Sequence, residues 1–187
     1  GEVPCLVRLS RNDEISVKRA LDAGAAGIIA PRVSSAEVCE DIVRFAKFPP
    51  DGVRGIGVSR ANQYGNNIES YLSDANGGVS VVIQIEDKAG VDNLENILEV
   101  AGLDSVFVGP YDLSASIGRT GDLKHPEVQA LIDQVRKKCL EVDKPVGIFE
   151  PDIEATRRRI EQGFSLITIS TDISCIIRQT KTILQSI

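Results

Sequence analysis

The chain has 187 residues, 42% hydrophobic and 26% charged, enough to enclose the full core of one domain, read as a single unit over residues 1–187. Its 27 acidic against 21 basic side chains leave a net charge of −6, which argues against nucleic acid as a partner, because phosphate binding needs a basic face. No apolar run is long enough to cross a membrane, and the charge does not oppose a small anionic substrate, since a bound cation resets the local field.

Residues 3–9 (VPCLVRL) read as a first strand, entered almost at once from Gly1 in a chain without methionine. That start is expected of a record shorter than the whole protein. Asp13 is placed to cap a helix running to about residue 23, with Gly24 supplying the left-handed turn that ends it. Residues 27–31 (GIIAP) form a second strand. Ser34 or Ser35 caps the next helix, whose Val38, Ile42, Val43 and Ala46 share a face. Residues 52–78 are the longest irregular stretch, glycine-rich and carrying Arg54 and Arg60, with a helix expected over 68–76. Connections of this length are usually functional or mobile.

Residues 79–114 organise the rest: a buried strand (79–86), a helix (91–100), a second buried strand (105–109), then an acid. Pro126 opens a helix with Val128, Leu131, Ile132, Val135 and Cys139 inward. A fifth strand follows at 145–149, a helix at 153–162 closed by Gly163, a sixth strand at 166–170 and a last helix at 173–186. The four cysteines are scattered and read as reduced thiols on core faces, the usage of a cytoplasmic protein.

Six strand–helix units without a break predict an α/β fold with a parallel sheet. A complete (β/α)8 barrel takes roughly 250 residues, about 31 per unit, so six units need roughly 185. The expected fold is therefore a (β/α)8 barrel with six of its eight units in this chain and the first two missing. A doubly wound sheet is the competitor. It needs a glycine-rich loop after its first strand, where this chain has RLSRND.

In a parallel sheet the C-terminal strand ends lie on one edge, about 4.8 Å apart. Glu86 follows VVIQI and Asp112 follows VFVGPY, so both acids sit on that edge and can share a hard divalent cation, Mg2+ or Mn2+. The structural alternative is that Glu86 caps a helix and Asp112 opens a short one. Gln84, two residues before Glu86, shares its face of the strand.

The strings GVRGIG, VIQIE, VFVGPYDLSASIG, HPEVQ and GFSLITISTD, in this order, resemble the HpcH/HpaI aldolases, which are class II metal-dependent pyruvate aldolases. The resemblance covers essentially the whole chain. It implies reversible cleavage of a 4-hydroxy-2-oxo acid to pyruvate and an aldehyde through a metal-stabilised enolate, with Glu86 and Asp112 as metal ligands. It also implies Arg54 of GVRG as the active-site arginine and Gln84 as a contact to substrate and bound water. Gly109, Pro110, Tyr111 and Asp112 would form the mouth that receives the substrate carboxylate, on the N–H groups of Tyr111 and Asp112. Homo-oligomers, hexameric or built from dimers, are implied too. Family members often carry a smaller residue than Tyr111 and a threonine in place of Asp87. The family's acid/base histidine belongs to the two units absent here, and His125 does not match it. Oxaloacetate decarboxylation, a Claisen-type condensation and a non-catalytic binding protein are the rival functions.

Other charged residues are read structurally. Arg8 would neutralise the two acids from the end of the first strand. Asp172 is expected to cap the last helix, Glu150 to act with Pro151 at a helix start, and residues 157–159 (RRR) to form a solvated face.

Overall fold

The computed structural model describes residues 3–187. Six strands, all parallel, pair in chain order without reversal: β1 (Leu6–Arg8), β2 (Gly27–Ala30), β3 (Ser80–Ile85), β4 (Ser105–Val108), β5 (Val146–Glu150) and β6 (Leu166–Ile169). A doubly wound sheet reverses its order at a switch point, and this one does not. Among the described residues β1 and β6 are the two edges.

Nine α-helices alternate with the strands among the described residues: α1 (Glu14–Asp22), α2 (Ala36–Ala46), α3 (Ile68–Gly78), α4 (Lys88–Asp92), α5 (Leu94–Leu98), α6 (Pro110–Ser116), α7 (Pro126–Glu141), α8 (Ile153–Glu161) and α9 (Asp172–Gln185). The caps follow side-chain chemistry: Asp13, Ser35 and Asp152 each accept from a backbone N–H three residues on. The last helix is capped by Thr171 rather than Asp172, which stands in its first turn. The helix expected over 91–100 is two short ones, because Asn93 leaves helical geometry and its Nδ2 donates to Ser34 O.

The sheet has two different faces. Ile28, Val81, Ile83, Ile85, Val106, Val108, Val146 and Ile148 point into one core with α1, α2, α5 and α7. Burying each such aliphatic side chain contributes roughly 1.5–3 kcal/mol. The alternate residues Ile29, Val82, Gln84, Phe107 and Phe149 point the other way, as strand periodicity requires. On α2 the buried face runs through Cys39, Ile42, Val43 and Ala46, and Val38 is partly exposed instead. Cys39 and Cys139 are core residues as expected, while Cys5 and Cys175 are exposed.

The stretch from Gly52 to Asn67 is tied down rather than loose. Asn62, 2% exposed, accepts from the N–H groups of Ser59 and Gly65 and donates to Gly57 O. Ala61 N–H donates to Asp22 O, Lys18 to Gly55 O, and Arg54 N–H to Lys47 O. Asp22 and Lys47 lie at the C-terminal ends of α1 and α2, so the segment covers the N-terminal edge of the sheet.

Arg54 is the centre of that cover. It is 1% exposed; its Nη2 donates to Asp22 Oδ1 at 2.8 Å and to the Tyr71 hydroxyl at 3.0 Å. Its guanidinium lies 4.5 Å from the Phe48 ring centre. Burial alone would raise the Asp22 carboxyl, but hydrogen bonds from Arg54 and Lys18 outweigh it and hold the group below the ordinary carboxylate range.

Arg54→Ala in the intact protein is expected to lower unfolding stability by about 3 kcal/mol, the low end for a broken buried pair because Asp22 keeps part of its side chain in water. Urea unfolding measures it. Between the depressed folded value of Asp22 and the ordinary value near 3.9, the unfolded chain holds the extra proton. The contribution of Asp22 is therefore full above about pH 4 and fades as pH falls through its folded value. Asp22→Asn should flatten this acid limb of the stability curve.

Candidate active site

The site is built where β3 and β4 end. Ile85 pairs with Val108, and Gly109 N–H donates to Ile85 O at 2.9 Å, which sets residue 86 beside residue 109. Because Ile85 points into the helix-side core, Glu86 points to the opposite face with Gln84. Glu86 is 3% exposed. Its Oε1 accepts from Arg32 N–H at 3.0 Å; its Oε2 has no hydrogen-bond partner, with Arg8 Nη2 at 3.8 Å. Arg8 Nε donates to Gln84 Oε1 at 2.8 Å.

Asp112 stands in the first turn of α6, whose start at Gly109 has no side-chain cap. Neither acid is a helix cap: the cap of α4 is Asp87, which accepts from Gly90 N–H at 2.6 Å. That removes the structural alternative for Glu86 and leaves the Asp112 carboxylate turned to solvent at the site. A Cβ on Gly109 would lie 2.7 Å from Gln84 Nε2 and 2.8 Å from Glu86 Oε2, so the bare backbone there makes room for both side chains.

Burial raises the Glu86 carboxyl above its ordinary range, and the negative charge of Asp112 adds to the rise. Arg8, the Arg32 N–H and the Arg32 guanidinium offset it only in part. The pair is therefore short of positive charge at the one buried oxygen that lacks a partner. A hard divalent cation fits that donor set: one buried carboxylate oxygen without a hydrogen bond, and a second carboxylate near enough to feel its charge. Among the described residues no third His, Cys, Asp or Glu joins them, so solvent and ligand oxygens would complete the shell.

Beside the acids opens a concavity of ≈ 330 Å³. Arg8, Gln84, Gly109, Pro110, Tyr111 and Asp112 line its polar side, and Ile29, Phe107, Phe149 and Thr168 its apolar side. A broader hollow of ≈ 680 Å³, lined by Glu37, Glu40 and Glu99, lies between α2 and α5 away from the strand ends.

Not every expected residue is here. Arg54 is sealed at the opposite edge with Asp22 and Tyr71 and cannot serve this site. The arginines that do approach Glu86 are Arg8, which strand order alone places on the same edge, and Arg32. Glu150 faces the helix layer, where its Oε1 accepts from Arg159 Nε at 2.7 Å; Arg159 is thus withdrawn from the solvated run 157–159. His125 accepts from Glu127 N–H at the start of α7. Arg32 was not singled out by any motif. It holds a left-handed backbone at φ 51°, a strain of roughly 1 kcal/mol for a non-glycine residue, and that turn aims its N–H at Glu86.

Residues 2–178 match the HpcH/HpaI aldolase/citrate lyase family. Over 169 residues, 90% of the chain, it is 38% identical to a 5-keto-4-deoxy-D-glucarate aldolase of Klebsiella pneumoniae. Over 175 residues, 92% of the chain, it is 38% identical to a 4-hydroxy-2-oxo-heptane-1,7-dioate aldolase of Shigella sonnei. The chain spans 66% of the length of each of these curated relatives. A crystal structure of an HpcH/HpaI aldolase/citrate lyase family protein from Burkholderia cenocepacia superposes with a TM-score of 0.93 at 39% identity, covering 97% of this chain and 72% of that one.

Gly109→Ala is expected to destabilise the protein by about 1–3 kcal/mol through overpacking against Gln84 and Glu86. Thermal unfolding checks it. Gly118→Ala is the control for strain without crowding, because that glycine has a positive φ and nothing within 4 Å of an added Cβ.

Proposed function

The chain belongs to the HpcH/HpaI aldolase/citrate lyase family, and on that premise we propose that the intact protein is a divalent-metal-dependent carbon–carbon lyase. Its reaction is the reversible cleavage of a 4-hydroxy-2-oxo acid to pyruvate and an aldehyde. The observation that carries the reading is the buried Glu86 Oε2 without a hydrogen-bond partner, on the same strand edge as Asp112. The named activities of the relatives support it.

Glu86 and Asp112 would hold Mg2+ or Mn2+. The ion, when bound, supplies the positive charge that makes a proton on the carbon next to a keto group easier to remove. Gln84, fixed by its bond to Arg8, presents its amide to the keto acid. The backbone N–H groups of Tyr111 and Asp112, in the first turn of α6, offer donors to the keto acid's carboxylate; Pro110 has none to give. Arg8, half exposed in the concavity, takes the place expected of Arg54: its planar fork faces the oxygen on which negative charge grows. Phe107, Phe149 and Ile29 keep one wall apolar and limit water. The exposed apolar residues Ile173, Ile176, Ile177, Ile183 and Leu184 of α9 support a homo-oligomer, and four free thiols support a reducing cytoplasm.

The test is exchange of deuterium into the methyl group of pyruvate by the intact, metal-loaded protein. Glu86→Gln is expected to slow it by about 100-fold or more and to weaken Mn2+ binding, read by electron spin resonance, by a similar factor. Chelation should stop exchange and added Mg2+ or Mn2+ restore it. Exchange at the normal rate in Glu86→Gln would overturn the assignment.

A further inference from the structure

We propose that Asp87 is a positioning residue for the Glu86 site: through the Ser34 hydroxyl it fixes the turn at Arg32 that occupies one oxygen of Glu86 and leaves the other to a cation. This rests on the metal reading of the site and deepens it.

The turn is the point that needs holding. Arg32 N–H donates to Glu86 Oε1 at 3.0 Å from a backbone at φ 51°. A non-glycine residue stays in that region when its surroundings over-determine it. Four contacts do so here. Asn12 Nδ2 donates to Pro31 O at 2.5 Å, and Val33 N–H to Gln84 O at 3.2 Å. Beyond the turn Ser34 is held twice: its Oγ donates to Asp87 Oδ2 at 2.6 Å, and its carbonyl accepts from Asn93 Nδ2 at 2.8 Å. Ser35 is the residue that caps α2, so the Ser34 hydroxyl has no task in that helix.

Asp87 is placed to transmit the hold. Its backbone is extended, so its side chain leaves the end of β3 on the side opposite Glu86 and is no ligand for the same ion. Its Oδ1 accepts from Gly90 N–H at 2.6 Å while Oδ2 takes the Ser34 hydroxyl, so the carboxylate cannot turn without losing a bond. A Cβ on Gly90 would lie 2.8 Å from Val33 O, so the first turn of α4 bears directly on the loop. The next residue, Lys88, donates its N–H to Ser116 Oγ on α6, the helix that carries Asp112. One helix start thus ties the loop that touches Glu86 to the helix that presents Asp112. Hydrogen-bond partners that orient a metal ligand from outside the coordination shell typically change affinity by about 10–100-fold.

Mn2+ titration of the intact, substrate-free protein, read by electron spin resonance, tests this. Hydrogen exchange of the Arg32 amide, followed by NMR, is a second readout that needs no metal. Ser34→Ala removes the bond to Asp87 and leaves the Asp87 cap of α4 in place. It is expected to raise the Mn2+ Kd about tenfold and to speed exchange of the Arg32 amide by a similar factor. Ser34→Thr and Asp87→Asn keep a hydrogen bond between positions 34 and 87 and should stay within about threefold of wild type in both readouts. Thr171→Ala removes the cap of α9 and is the control for general loosening: it should lower the unfolding temperature and leave the Mn2+ Kd unchanged. A wild-type Kd or wild-type Arg32 exchange in Ser34→Ala overturns the proposal, as does an equal loss of Mn2+ affinity in Thr171→Ala. If Glu86→Gln abolishes Mn2+ binding while Ser34→Ala does not weaken it, the metal reading stands and the role of Asp87 falls. If wild type binds no Mn2+, both fall.

Discussion

A carboxylate shut away from water is unfavourable unless its charge is met, and Glu86 is in that condition. Everything around it either forces the burial or answers it. The forcing comes from the helix-side core. Val81, Ile83 and Ile85 are locked among α2, α5 and α7, so β3 cannot rotate, and strand alternation sends Gln84 and Glu86 to the other face. A register slip of one residue would put Ile85 in the concavity and the acid in the hydrocarbon core. The answer comes from neighbours on three other strand ends: Arg8 at the end of β1, Arg32 after β2 and Asp112 after β4. The first two supply positive charge and the third adds negative charge. The balance leaves one oxygen bare, and that is where the proposed chemistry begins.

The two edges of the sheet thus do different things with similar residues. At the C-terminal edge an arginine and acids stand partly apart, with Arg8 Nη2 3.8 Å from Glu86 Oε2, an arrangement open to a third charge. At the N-terminal edge Arg54 and Asp22 are in direct contact at 2.8 Å, and the remaining nitrogens of Arg54, Nε and Nη1, are buried without hydrogen-bond partners beside Phe48 and Tyr71. A buried arginine is as often a structural brace as a catalyst, and only its partners tell which.

That contrast explains what the amino-acid sequence made legible and what it did not. Apolar runs at strand spacing located all six strands, with the ends misjudged by one residue except in β1, which starts three residues later than expected, and strand ends in a parallel sheet put Glu86, Asp112 and Gln84 on a common edge. The loop after α2 was another matter. Nothing in GVRGIG says whether it folds over the top of the sheet or beneath it; the answer depends on Asn62, Lys18 and Asp22, which contact it from other elements. Arg8 was visible as a partner for the acids but not as the arginine of the site. Arg32 carried no signal, because a left-handed turn at a non-glycine residue leaves no mark in composition. The exchange of Val38 for Cys39 on α2 has a similar origin: a helix face is wide enough that its rim is settled by what packs against it, here α1 and α5.

Gly109 closes the account of how two long side chains came to share one strand end. With no carbon beyond its Cα, it leaves a notch that the tips of Gln84 and Glu86 fill from the neighbouring strand. Positions 84, 86 and 109 therefore hold a single volume in common. A methyl group gained at 109 would have to turn both tips aside and push against the Cβ of Glu86, and a displaced acid would no longer meet its neighbours in the same way.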